Sequence, residues 1–501
     1  MRVAPVDVPT PESAEASAIA WAEADPALRA LVRSESSTAK ALGRWGADLF
    51  RAGRAADAVT VFRATAALDP SNAAAWANLG IACDATGSLA DAKACFSSAI
   101  AIAEGDADIW FLLGCVREKE GDLAGAESDL REAVKRDPQS APAWKQLAAI
   151  YQRRGNPNGA ITALVESLTQ NPHDAAASAN LGKLLYEAGR IDEAHAAYAR
   201  AVAGEPENEH FARMLRRSAL ACDLIAEVPI ADALAKIEAE ERLSAGEPLA
   251  LFEMTSATLT RFGHHDAALR FAKWRADRFP NSPQAHYQLA ALVGADLRRS
   301  PDAYIVASFD AFAESFDEQL VDVLGYDVPQ QLHALITDVL EPGRTYDTLD
   351  AGCGTGLCGG FLRPLAKTLT GLDLSPKMLD FARARGVYDA LVCEELTAFL
   401  ESRTSAYDLI VAADVLIYFG DLEPIMAAAA KALRPGGILA VSTEYGADDY
   451  RLGRSGRFAH SPAYVTRVAK GSFDVLVTTS TTLRREGADR VQGAIFVLRK
   501  H

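Results

Sequence analysis

Small and apolar residues return along the first half of the chain at a fixed interval. Gly53, Gly87, Gly121, Gly155 and Gly189 are spaced by 34 residues, and Ala58, Ala92, Ala126, Ala160 and Ala194 follow at the same period. Gly46, Gly80, Gly114, Ala148 and Gly182 form a third series, and Pro70, Pro138, Pro172 and Pro206 a fourth, with Glu104 in the remaining slot. Large residues keep step: Trp76, Trp110 and Trp144 at one position, Phe62, Phe96, Leu130, Leu164 and Tyr198 at another. The pattern predicts units of two helices joined by a short glycine turn. Small residues let the helices approach, large ones fill between units, and proline ends the second helix of most units. From about Asp302 the pattern changes to short apolar runs alternating with helical stretches. TYDTLDAG gives a strand ending at Asp350, KTLTGLDLS one ending at Asp373, and YDALVCEEL one ending near Glu394 and Glu395. YDLIVAADV gives a fourth ending at Asp414, and LRPGGILAVSTE a turn plus a fifth. FDVLVTTST and VQGAIFVLRK add two more, joined by the polar stretch Arg484–Arg490 and close enough in sequence to pair only antiparallel.

The period and its small residues resemble the tetratricopeptide repeat. That resemblance implies a right-handed superhelix with a concave groove, which would hold a protein or peptide partner, or else support the second domain. Trp110 reads as core rather than as a ligand contact. RFGHHDAALRFAKWRADRFPNS (Arg261–Ser282) keeps Gly263, Ala268 and Pro280 at the same mutual offsets, so one or two degenerate units are expected between about Glu207 and Asp296. The expected fold class is α + α/β: an α-solenoid followed by a Rossmann-like doubly wound sheet with an antiparallel last strand. The expected divisions are an N-terminal helix or flexible segment (1–36), five repeats (37–206), degenerate repeat helices (207–300), lid or linker helices (301–340) and the sheet domain (341–501).

The first strand of that domain runs into LDAGCGTGLCGG (Leu349–Gly360). A phosphate-binding loop of the form GxxxxGK[ST] needs a lysine on the phosphates, and none follows here. Gly354, Gly356 and Gly359 do spell GxGxxG, but Asp350 stands ahead of them, giving D-x-G-x-G-x-G. A carboxylate there would repel a pyrophosphate and welcome a cation. S-adenosylmethionine carries a sulfonium, an ammonium and no phosphate. Cys353 and Cys358 read as small residues in a tight turn, not as ligands.

Asp350, Gly352, Gly354 and Gly356 resemble the first motif of the class I methyltransferases, and the later strand ends match in order. The resemblance covers roughly Tyr304 to Arg499 and implies roles residue by residue. Asp373 in GLDLSPKML would accept both ribose hydroxyls, with Leu374 beside it in the cofactor set and Met378 packed on the adenine. Glu395 would lie near the adenine amino group with the Leu396 amide adjacent, and Glu394 could serve in place of Glu395. Asp414 and Tyr418, in AADVLIYFGDL, would face the transferred methyl. The family's habit of LRPGG before a strand is also present. A narrower likeness to bacterial methyltransferases that carry tetratricopeptide repeats rests on YIVASFDAFAESFDEQLVDVLGYDVPQQL, GRFAHSPAYVTRVA and LRREG. It implies architecture and cofactor but no substrate; the methyl acceptor is left as a small molecule or a carrier-bound group.

Methyl transfer asks the protein to align donor and acceptor and to exclude water. Tyr304, Phe309, Phe312, Phe316 and Tyr326 would form a lid over the cofactor or, alternatively, a packing helix between domains. His460, read as lying in a loop after the fifth strand, is the candidate base, and Tyr418 and Arg484 are candidates to orient an acidic substrate. Two other functions stay open: an interaction scaffold with a vestigial cofactor domain, and a nicotinamide-dependent oxidoreductase. The net charge of −16 lacks the footprint of a nucleic-acid binder. Seven scattered cysteines without a CxxC pair fit a reducing cytoplasm, with no metal site. No apolar run is long enough for a membrane span, and the start lacks the basic and apolar pattern of a signal peptide.

Overall fold

Each periodic residue has a distinct physical task in the computed structural model, which describes residues 6–240, 247–317, 320, 325–486 and 489–501. Parts of four expected segments lie outside the described residues: 1–5, 241–246, the lid positions 318–319 and 321–324, and 487–488 between the last two strands. The chain forms two compact units, Met1–Ser218 and Ala219–His501.

In the first unit the helices Pro11–Ala24 and Pro26–Ser34 precede five antiparallel pairs, from Thr38–Arg51 with Ala55–Leu68 to Ala175–Glu187 with Ile191–Gly204. The inter-helix glycines Gly53, Gly87, Gly121, Gly155 and Gly189 all have φ between 71° and 84°, a left-handed turn that side chains resist. The other glycine series is needed for space. A Cβ on Gly80 would lie 2.7 Å from the Phe96 ring, and one on Gly182 would lie 2.9 Å from Tyr198. Trp76, Trp110 and Trp144 are spent on structure. Their indole N–H groups donate to the carbonyls of Pro70, Glu104 and Pro138 at 3.0, 2.9 and 2.9 Å, satisfying the chain just past each second helix.

The second unit begins with helical repeats out of phase with the first five. Helices Glu247–Arg261 and His265–Arg278 meet at Gly263, which has φ 80°, and helix Pro283–Val293 follows. His286 takes the tryptophan's place, its Nε2 lying 2.8 Å from the Pro280 carbonyl. The degenerate unit therefore keeps both the turn and the ring-to-carbonyl lock.

The sheet that follows is built from β1 (Tyr346–Ala351), β2 (Ala366–Asp373), β3 (Ala390–Cys393), β4 (Tyr407–Ala412), β5 (Leu433–Tyr445), β6 (Tyr450–Leu452), β7 (Phe458–His460), β8 (Phe473–Glu486) and β9 (Asp489–Lys500). The order β3-β2-β1-β4-β5 is parallel, and β9 pairs antiparallel with both β5 and β8. Apolar clusters fill both faces, as a parallel sheet requires. The order reverses between β1 and β4, which opens a crevice at their carboxyl ends. Three details depart from the sequence reading. β4 stops at Ala412, two residues short of Asp414; β8 and β9 run on through Glu486 and Asp489; and β6 and β7 form an unexpected hairpin whose second strand extends β5 in parallel. These last two strands have three residues each, too short for periodicity to show.

Overpacking supplies a test of the repeat. Gly80→Val should destabilise the protein by about 1–3 kcal/mol as the Phe96 ring is displaced, measured as a lowered urea midpoint with unchanged slope.

Candidate functional site

Beyond β1 the chain turns sharply. The N–H groups of Gly352 and Cys353 both donate to the Leu372 carbonyl, at 2.7 and 2.9 Å. Gly352, Gly354 and Gly356 have φ values of 71°, 53° and 90°. Position 352 also needs glycine for space, since a Cβ there would lie 2.4 Å from Val415. At Gly354 the nearest atoms to such a Cβ are on the Phe316 ring, 3.8 Å away, so this face of the turn opens toward the crevice. Asp373, at the end of β2, clamps the turn: its Oδ2 accepts from Gly354 N at 2.9 Å and its Oδ1 from Ser375 N at 2.8 Å. Burial pushes its pKa up against those backbone donors.

Asp350 lies deeper than the sequence suggested. It is 1% exposed, and its Oδ2 accepts from the Tyr388 hydroxyl at 2.6 Å. Burial lifts its pKa to about 7 despite that bond. It underpins the turn from below and does not front the crevice. Cys353 and Cys358 are buried beside it, and burial pushes both thiols up.

At β2 and β3 two expectations need correction. Met378 is 0% exposed in the helix Pro376–Ala384, so it offers no surface to an adenine, whereas Leu374 is half-exposed. Glu395 caps the helix Leu396–Glu401, accepting from Ala398 N at 2.8 Å, and pairs with Arg299 at 2.7 Å. Its neighbour Glu394 stands exposed at the tip of β3, and Leu396 is buried at the start of the helix. Spacing alone could not separate the two glutamates, because only the helix start decides which becomes the cap.

Across the crevice, Asp414 sits past β4 with φ 54°, its N–H donating to Ser442 Oγ at 2.8 Å and its Oδ1 accepting from that hydroxyl at 2.9 Å. Arg484, 4% exposed on β8, donates to Asp414 Oδ2 at 3.2 Å and pairs with Glu444 at the end of β5. Burial pushes the Tyr418 hydroxyl's pKa up, and the nearby Arg457 guanidinium offsets part of that rise. The fold thus brings Asp414, Tyr418 and Arg484 to one place and adds Arg457 and Glu444. A signal for Arg457 was present: Tyr450–His460 holds Arg451, Arg454 and Arg457 and no acid, in a strongly acidic chain. His460 is the third correction. It lies in β7, 1% exposed, stacked on Tyr464 with ring centroids 6.1 Å apart, its Nε2 3.2 Å from the Gly420 carbonyl. Burial lowers its pKa to about 4, which keeps it neutral and away from solvent.

The lid segment crosses this edge. Its helix, Asp302–Phe312, has no buried residue despite its apolar sequence. Phe309 meets the Tyr418 ring edge-on at 5.6 Å. Asp310 accepts from Ser375 Oγ at 2.6 Å, and Asp317 accepts from Thr355 Oγ1 and pairs with Arg385. Tyr326 is buried ahead of the helix Val328–Thr337.

The raised pKa of Asp350 sets a sign for pH dependence. Unfolded, the group ionises near pH 4, and folded near 7. The native state therefore holds the extra proton, and stability falls as pH rises from 4 to 7. Asp350→Asn should remove that loss, so its stability relative to wild type should improve between pH 4 and pH 8 by roughly 1–4 kcal/mol, read from denaturant melts at both values.

Residues 349–441 match the methyltransferase domain family, and residues 49–114, 118–166 and 152–217 match the tetratricopeptide repeat. A malonyl-[acyl-carrier protein] O-methyltransferase from Serratia marcescens is 31% identical over 139 residues, 28% of this chain and 52% of that protein. A ubiquinone biosynthesis O-methyltransferase from Rhizobium leguminosarum bv. trifolii is 35% identical over 102 residues, 19% of this chain and 39% of that protein. The chain spans about half the length of these curated relatives, or less. A solved N-methyltransferase from Bradyrhizobium japonicum, in complex with S-adenosyl-L-homocysteine, covers 39% of this chain and 98% of its own at 19% identity and a TM-score of 0.33. Among the described residues no helix is long and apolar enough to cross a membrane. The chain thus joins an N-terminal array of tetratricopeptide repeats to a methyltransferase domain.

Proposed function

We propose that the sheet domain transfers a methyl group from S-adenosylmethionine to an acceptor entering over β4 and β5, while the repeat array holds a protein or peptide partner. The carrying observation is the turn after β1: three left-handed glycines, an amide clamped by Asp373, and an open face above Gly354. The donor set fits such a cofactor. Asp373 and Asp310 make this edge acidic, which suits a sulfonium and an ammonium, and no lysine stands in the turn for a phosphate.

In this reading the backbone of Gly352, Gly354 and Gly356 holds the methionine end, Asp373 takes the ribose hydroxyls, and Leu374, Glu394 and the Leu396 amide line the adenine. Asp414 faces the amine or the methyl. Bound there, the cofactor supplies a methyl already activated by positive sulfur, so the chain's own work is alignment and dryness. Tyr418 orients the acceptor beneath Phe309, and the lid segment keeps water out. His460, neutral and enclosed, supports the Gly420 backbone and takes no proton from the acceptor. The name of the Serratia relative makes a carrier-bound acceptor a candidate beside a free small molecule.

Calorimetry with S-adenosylhomocysteine tests the assignment. Binding in the micromolar range is expected, weakened at least tenfold by Asp373→Asn and several-fold by Glu394→Gln, with Glu395→Gln less harmful than either. Tighter binding of NAD than of S-adenosylhomocysteine would replace this function with a dinucleotide one.

A further inference from the structure

The lid segment grips the glycine turn through two carboxylates. Asp310 and Asp317 stand seven residues apart on helical backbone, two turns along, and so share one side of the segment. Asp310 accepts from Ser375 Oγ at 2.6 Å and from Lys377 N at 3.4 Å. Asp317 accepts from Thr355 Oγ1 on one oxygen and pairs with the Arg385 guanidinium through the other. Arg385 completes a ring, its Nε donating to the Thr355 carbonyl at 2.6 Å. Thr355 is the residue between Gly354 and Gly356, and it is 1% exposed. Its hydroxyl and its carbonyl are thus both committed, one to the lid segment and one to the end of the helix Pro376–Ala384.

The two grips have a common neighbour. Asp373 holds Gly354 N with one oxygen and Ser375 N with the other, while the lid carboxylates hold Thr355 and Ser375. The segment therefore spans the same two ends that Asp373 joins. Between the grips stand Phe312 and Phe316, half-buried, with ring centroids 5.5 Å apart, and Phe316 is set over the face of Gly354. An isolated surface ion pair contributes little. Here the carboxylate meets a buried hydroxyl and a guanidinium whose other nitrogen is tied to the turn, so each partner fixes the geometry of the next. The end of the segment can lift from the turn only when that ring opens.

We infer that the ring of Thr355, Asp317 and Arg385 is a latch that holds the lid segment over the bound cofactor and sets how slowly the cofactor leaves; this rests on the S-adenosylmethionine site proposed above. Asp317 and Arg385 are positioning residues, acting through Thr355 and Phe316 and touching no reacting atom.

Surface plasmon resonance with the full chain immobilised and S-adenosylhomocysteine as the analyte tests the latch. Asp317→Ala and Arg385→Gln should each raise the dissociation rate at least tenfold and leave the association rate within about threefold of wild type. Both break one ring, so the double variant should dissociate no faster than the faster single variant. Arg385→Lys, which offers a single ammonium where the fork serves two partners, should fall between wild type and Arg385→Gln. Glu314→Gln, exposed on the same segment, should dissociate as wild type does. Unchanged dissociation in both single variants, additive effects in the double, or a loss of affinity carried by slower association would overturn the latch while leaving the cofactor site standing. Equal acceleration by Glu314→Gln, or a lower melting temperature without faster dissociation, would overturn it as well. Should Arg385→Gln fail to fold, Asp317→Ala decides alone. A wild-type chain that binds no S-adenosylhomocysteine would remove both the latch and the site.

Discussion

One carboxylate organises the catalytic edge. Asp373 receives an N–H from the glycine turn on one oxygen and an N–H from its own helix start on the other. The turn after β1 and the helix after β2 are thereby fastened together before any ligand arrives. A backbone amide in a left-handed turn has no ladder partner, and leaving it unpaired in a buried place would cost more than the bond itself contributes. Asp310 joins the same helix start, accepting from Ser375 Oγ, so the segment before the sheet shares that anchor.

The repeats show how a local device outlives its periodicity. An aromatic ring nitrogen bonded to the carbonyl just past a helix fastens three units of the first array, and His286 repeats the bond after the phase has slipped. What changes is the neighbourhood. The residue after His286 is Tyr287, which packs with Leu452 and Phe458 of the β6–β7 hairpin and with Tyr304 of the lid segment. A helix of the degenerate repeats thus packs against the β6–β7 hairpin of the sheet. The hairpin sits where β5 outruns β4, whose pairing with it ends at Ala412 and Val441, and that overhang gives β7 a strand to pair with.

Electrostatics divides the crevice into two halves of different character. One half is acidic, with Asp373 and Asp310 partly buried and Asp350 buried behind the glycine turn. Across the crevice Arg484 is set between Asp414 and Glu444 in an enclosed space, where charges are worth more than at the surface. The lid spans both through different contacts: an aromatic edge on Tyr418, carboxylates on Ser375, Thr355 and Arg385.

The linear order of residues determined the solenoid, the sheet class, the antiparallel end and the glycine turn. Each of these is encoded by neighbours: a φ that only glycine tolerates, a period that places small against large, an apolar run closed by an acid. Tertiary structure alone decided which candidate faces the crevice. Met378 and Leu374 share a motif, yet helix packing buries one and leaves the other accessible. Glu394 and Glu395 are adjacent acids, and the helix start consumes the second. His460 looked mobile until β5 supplied a strand for it to join, and burial then removed its basicity. Local conformation follows from steric rules that act over a few residues, whereas exposure and partnership depend on elements that meet only after the chain has closed on itself.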